Sequence, residues 1–179
     1  MKFYDEYFSS ISKHISDVNQ ESLEKCAELA VKTSNTGGKV IIAGNGGSAA
    51  IASHVAVDFT KAASIRAINF NESDLITCFA NDYGYEFWVQ EALKAYSDKD
   101  DLIILVSSSG NSKNIINAAE FATNESMSLI TLSGFSNKNE LRKYGNFSFW
   151  VDSNNYNYVE MTHHIWLLSI VDRVIEIKK

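Results

Sequence analysis

The chain has 179 residues, of which 45% are hydrophobic, and a formal net charge of −6. That length suits one domain able to bury its own core, and no apolar run approaches the ~20 residues of a membrane-spanning helix. An acidic balance without a Lys/Arg cluster excludes duplex nucleic acid as the expected partner. It does not exclude a small anion, because helix N-termini bind phosphate through backbone N–H groups without lysines.

Tyr4, Phe8, Ile11, Ile15 and Val18 recur alternately four and three apart, which predicts a first helix with His14 in a structural role. The opening ten residues mix charges and lack an apolar core, so no export signal is expected and the chain is expected to be cytoplasmic. A second helix over 21–34 ends at the stop signal Asn35-Thr36-Gly37-Gly38. Residues 1–36 therefore read as a helical extension of a single domain spanning 1–179. Cys26 and Cys78 have no metal-type spacing and lie in apolar-periodic segments, as expected of buried free thiols.

Beyond residue 38 short apolar runs alternate with helical stretches. Strands are predicted at 39–43, 65–70, 101–106, 128–132 and 147–151. Helices are predicted over 48–62, 74–80, 85–96 and 112–124, with a short turn at 139–143 and a long final helix over 158–177. Strands separated by helices imply parallel crossovers and a sheet covered on both faces. The expected fold class is α/β, a doubly wound five-stranded parallel sheet of flavodoxin-like order with N-terminal helices in front.

Two strands end in unusual loops. The first leads into Gly44-Asn45-Gly46-Gly47-Ser48, the third into Ser107-Ser108-Ser109-Gly110-Asn111-Ser112. In this strand order the first and third strands flank the switch point, so both loops open on one crevice. Glycines let the backbone approach an anion, serines donate hydroxyl hydrogen bonds, and each loop enters a helix N-terminus. No lysine follows the glycines as in a Walker loop, and the dinucleotide spacing is absent. No nucleotide cofactor is expected.

These two loops resemble the signature loops of sugar isomerase (SIS) domains, and Ala80-Asn81-Asp82-Tyr83-Gly84 between them is similar to the phosphoheptose isomerase branch. The resemblance runs over nearly the whole chain. It implies that Ser48, Ser107, Ser108, Ser109 and Ser112 hold a phosphate, that Asn45, Gly46, Asn81 and Asp82 bind substrate, and that the chain forms a homotetramer. Catalytic candidates follow on the helix after the first loop. His54 and Asp58 share one face of it, about 9 and 15 Å along the axis from Ser48 at ~1.5 Å per residue. Glu160, His163 and His164 begin the final helix, and adjacent helical residues point about 100° apart, so one histidine of the pair faces a given pocket.

In active members of that family a histidine and a glutamate on the first helix act with a glutamine and a histidine eight residues apart on the last, in some members as zinc ligands. Here His54 matches, and Asp58 stands in for the glutamate. Met161 and Ser169 occupy the other two positions without a gap. Sliding the helix by one residue aligns Glu160 and His163 but leaves Leu168 at the later histidine. Either the site is rebuilt from Asp58, Glu160 and His163 or His164, or turnover is lost and phosphosugar binding retained. His54 and Asp58 alone make an incomplete zinc site. The expected function is conversion of sedoheptulose 7-phosphate to D-glycero-D-manno-heptose 7-phosphate for surface polysaccharide. The alternative is a sugar-phosphate-binding protein acting through protein contacts.

Overall fold

In the computed structural model, which describes residues 2–179, the opening stripe forms α1 (Lys2–Ser16). Helix α2 (Gln20–Asn35) starts at Asn19, whose side chain accepts from the Ser22 N–H at 2.9 Å. The chain continues through β1 (Val40–Gly44), α3 (Gly47–Lys61), β2 (Ala67–Asn69), α4 (Ser73–Tyr83), α5 (Trp88–Tyr96) and β3 (Leu102–Ser107). It ends with α6 (Lys113–Asn124), β4 (Ser128–Ser133), a 3-10 turn (Glu140–Lys143), β5 (Phe147–Trp150) and α7 (Tyr156–Ile177).

All strand pairs are parallel, in the order β2-β1-β3-β4-β5. This is the doubly wound five-stranded sheet expected from the apolar runs. β1 and β3 lie side by side, from Val40 opposite Leu102 to Gly44 opposite Val106. Both strands therefore stop at the same level, and the loops that follow them meet at the point where the strand order reverses.

Alternate residues of the central strands feed two cores, as the period-2 geometry of a strand requires. Ile42, Leu102 and Ile104 pack with Cys26, Phe59, Trp166 and Leu167 under α2, α3 and α7. Ile41, Ile103 and Leu105 pack with Trp88, Leu93 and Ile115 under α5 and α6. Burial on both faces explains why β1 and β3 read as unbroken apolar runs.

Three expectations need correction. The second strand spans only Ala67–Asn69 rather than 65–70. Ile65 is instead tied to the end of α3, its N–H donating to the Phe59 carbonyl at 2.9 Å. Cys78 is exposed, while Cys26 is buried as expected; Cys78 lies on α4, which has no buried residue.

Asp101, assigned to the third strand, sits just before it as a buried anchor. Its carboxylate accepts from the Lys39 N–H at 2.8 Å, the Lys39 ammonium at 2.7 Å and the Asp98 N–H at 2.8 Å. Replacing it by Ala orphans two backbone donors and half of the Lys39 pairing, with Asp98 still close at 2.7 Å. Asp101→Ala is expected to cost about 2 kcal/mol, read as a lower urea midpoint at an unchanged slope.

Helix α1 has no buried residue and leans on α7. Trp166 Nε1 donates to the Ile15 carbonyl at 2.9 Å, and Tyr7 meets Tyr158 edge-on. His14 also lies beside Tyr158. Phe3, Tyr4 and Phe8 of α1 stay exposed. Among the described residues no helix is long and apolar enough to cross a membrane.

Candidate active site

The glycine loop turns at Gly46, whose φ of +53° is a left-handed conformation that favours glycine. No side chain caps the start of α3, so its first N–H groups have no side-chain capping partner. The serine loop enters α6 in the same way, with Ser112 at the cap position and its hydroxyl bonded to that of Ser107 at 3.1 Å rather than to the helix. Between the two loops lies a cavity of about 240 Å³. It is lined by Asn45, Gly46, Gly47 and Ser48 from the first loop, and by Ser107, Ser108, Ser109 and Ser112 from the second. Tyr156 and Glu160 of α7 close its side.

The side-chain donors around this cavity are hydroxyls and an amide, and among the described residues the one formally charged side chain lining it is the Glu160 carboxylate. Ser108 donates to Glu160 Oε1 at 3.3 Å. The carboxylate lies over Gly47, where any Cβ would collide with it. That contact is why α7 approaches the loop at a glycine.

Sequence reasoning missed the residues that hold the first loop in place. Asn45 and the buried Asn114 exchange two amide hydrogen bonds, at 3.0 and 2.9 Å. The Tyr85 hydroxyl donates to Asn45 Oδ1 at 3.1 Å. Nothing in the local pattern marks Asn114, because its partner is 69 positions away. Asn81 and Asp82 do not line the cavity. They belong to the exposed last turn of α4, where the Asn81 amide donates to Asp82 at 2.9 Å. The segment reaches the loop through Tyr85 instead.

The adjacent histidines take opposite roles. His163 is fully buried, with Nε2 bonded to the Ser133 carbonyl at 3.0 Å and Nδ1 without a partner. Burial pushes its pKa down to about 4, against the small upward pull of that hydrogen bond. It is a neutral core residue and does not face the cavity, contrary to its place among the catalytic candidates. His164 instead turns towards α3, and its Nε2 lies 2.9 Å from His54 Nδ1. Partial burial lowers the His164 pKa, the neighbouring His54 lowers it further, and Asp58 acts in the opposite direction.

The resemblance raised zinc at His54 and Asp58. Asp58 Oδ2 lies 3.4 Å from His54 Nε2, on the opposite edge of the ring from His164. A structural or catalytic zinc needs three or four donors converging on one point at about 2.0–2.3 Å. These three side chains form a row instead. Among the described residues no group of three or more His, Cys, Asp or Glu side chains is gathered in a metal-binding arrangement. The row does not fit a tetrahedral zinc site.

The fold is a doubly wound parallel sheet with a serine-lined cavity at its switch point, bordered by the N-terminal ends of α3 and α6. The sequence pattern of the SIS domain matches residues 3–134. The chain belongs to the SIS domain family. A phosphoheptose isomerase from Cytophaga hutchinsonii is 37% identical over 120 residues, a match spanning 64% of this chain and 63% of that protein, under two thirds of its length. One from Fusobacterium nucleatum is 31% identical over 177 residues, spanning 96% of this chain and 91% of the relative. The structure of the phosphoheptose isomerase GmhA from Neisseria gonorrhoeae superposes with a TM-score of 0.88 at 23% identity, over 97% of both chains. This last likeness is one of fold.

Proposed function

We infer that the protein is a phosphosugar aldose–ketose isomerase that converts sedoheptulose 7-phosphate to D-glycero-D-manno-heptose 7-phosphate for surface polysaccharide. The observation that carries this reading is the serine-lined cavity at the β1–β3 switch point, in a chain whose relatives bear the name phosphoheptose isomerase. A phosphate seated there receives hydroxyl donors and two helix N-termini, so its sugar chain extends along α3 and α7. Isomerisation then removes a proton from C1 and returns one to C2 through an enediol, while the C1 hydroxyl loses a proton and the C2 carbonyl oxygen gains one. C1 is oxidised as C2 is reduced, so the chemistry needs acid–base groups and no external redox partner. His54, Asp58, Glu160 and His164 are the titratable groups on the facing sides of those helices.

The same reading places the protein in the cytoplasm as a homotetramer. Exposed Phe3, Tyr4 and Phe8 on α1 support a self-association surface, since a cluster of this kind is unusual on a free monomer.

Proton NMR of sedoheptulose 7-phosphate with the protein in D₂O tests the reaction. Aldose signals, or deuterium uptake beside the carbonyl, are expected. Line broadening without either change would leave only the binding function. The phosphate subsite is tested by Ser109→Ala combined with Ser112→Ala. Loss of two hydrogen bonds to a charged group, each about 1.5–3 kcal/mol, is expected to raise the Kd at least a hundredfold by calorimetry. Unchanged affinity would place the phosphate elsewhere.

A further inference from the structure

Building on the isomerase reading, we propose that Tyr85 is a positioning residue for the phosphosugar, acting through the carboxamide of Asn45. Asn45 lines the serine cavity and also a second cavity of about 630 Å³, which lies between the α4–α5 connection and the start of α6. It therefore forms part of the wall that the two cavities share. Three hydrogen bonds hold its carboxamide. Nδ2 donates to Asn114 Oδ1 at 3.0 Å, while Oδ1 accepts from Asn114 Nδ2 at 2.9 Å and from the Tyr85 hydroxyl at 3.1 Å. A carboxamide offers two donor hydrogens and two lone pairs. Both lone pairs of Asn45 are thus engaged, and one N–H is left for a ligand. Turning both amides over keeps their mutual bonds, but it commits both hydrogens of Asn45 and leaves a spare lone pair, which suits a phosphate oxygen badly.

The backbone is arranged to bring Tyr85 to this point. Helix α4 ends at Gly84, whose φ of +93° favours glycine, and Tyr85 follows directly. On its other side, the Glu86 carbonyl accepts from Asn117 Nδ2 at 2.8 Å. Asn114 and Asn117 are three residues apart on α6 and so share one face of it. One grips the glycine loop and the other grips the segment carrying Tyr85, so α6 sets the spacing between Tyr85 and Asn45. The phosphate on C7 is at the opposite end of the sugar from the reacting C1 and C2. A contact at the phosphate end is equally strong in the ground and transition states, so its loss raises KM and leaves kcat unchanged.

Tyr85→Phe removes the hydroxyl and keeps the ring. Tyr85 is 55% exposed, so water competes for the hydroxyl and one neutral hydrogen bond sets the scale of the effect. The Kd for sedoheptulose 7-phosphate by calorimetry, and the KM, are expected to rise about fivefold. The kcat should stay within about twofold and the melting temperature within about 2 °C. In ¹⁵N–¹H NMR the Asn45 side-chain amide signals of the ligand-free variant are expected to shift. Asn117→Ala is expected to raise the Kd by a similar factor alone, and to add nothing in the Tyr85→Phe background. A Tyr85→Phe variant that matches wild type in Kd and KM would overturn the proposal, as would unmoved Asn45 signals or a fall in kcat at unchanged Kd. Additive losses in the double variant would overturn the link through α6. Wild-type protein that binds the sugar phosphate without isomerising it would sink the isomerase reading alone, since the ratio of the two Kd values still decides the role of Tyr85.

Discussion

Gly110→Ala is expected to weaken sugar-phosphate binding by more than a hundredfold, although glycine offers no side chain to the ligand. Gly110 has φ +64°, a left-handed conformation that costs an L-residue about 1–2 kcal/mol. A Cβ there would also collide with the Asn139 carboxamide. That carboxamide has no room to yield. It is buried, and its Nδ2 lies 3.1 Å from Ser133 Oγ, 3.1 Å from the Gly134 carbonyl and 2.8 Å from the Ser136 carbonyl. Relief must come from the serine loop, which Gly110 ties down by donating to the Ser107 carbonyl at 2.9 Å and accepting from the Leu141 N–H at 3.0 Å. Strain and overpacking together amount to about 3 kcal/mol, and each 1.4 kcal/mol expressed in binding is about tenfold in Kd. Calorimetric titration with sedoheptulose 7-phosphate, beside a thermal melt, separates lost affinity from lost folding. A folded variant that binds within threefold of wild type would show that the loop conformation does not shape the site.

His163 gives the second large effect, on stability against acid. Its folded-state pKa is held down to about 4 by burial, against about 6.5 for a free histidine. Between those values the unfolded chain binds a proton that the folded chain refuses, so stability rises with pH across this window. The contribution is complete above about pH 6.5 and lost progressively towards pH 4, a total of about 3 kcal/mol. Carboxylates add their own acid dependence, so the informative quantity is the difference between wild type and His163→Met. The substitution removes the unpartnered buried Nδ1 and leaves the Ser133 carbonyl its bond from the Val151 N–H at 2.9 Å. Urea unfolding at several pH values between 4 and 7 is expected to show His163→Met with a slope shallower by about one proton. Parallel pH profiles would mean that His163 is not held neutral in the folded protein.

His163 and His164 also show where reading the residues stopped. Their 100° offset required one to face away from any given pocket, yet nothing local identified which. The choice depends on Ser133, 30 positions earlier at the end of β4, and on His54, 110 positions earlier on α3. Asn81 and Asp82 present the opposite case. The motif was visible, but α4 continues through it and carries both side chains to the surface, so the connection to the cavity runs through Tyr85. Asn114 carried no visible signal, because a single asparagine early in a helix has no periodicity to betray its partner.

The sequence by itself determined the strand and helix order, the glycine and serine loops and the absence of a nucleotide-type motif. Each of these is written in contiguous residues: apolar runs of strand length, stripes of helical period, and glycine–serine clusters at strand ends. The tertiary structure decided which side chains share the site. The parallel register of β1 with β3 brings the two loops to one level, and the packing of α7 against α3 sets Glu160 over Gly47 and His164 beside His54. Such pairings depend on the rotation of one helix about its axis relative to another. That rotation is settled by burying Trp166, Leu167 and Ile170 in the core, and no short stretch of sequence contains it.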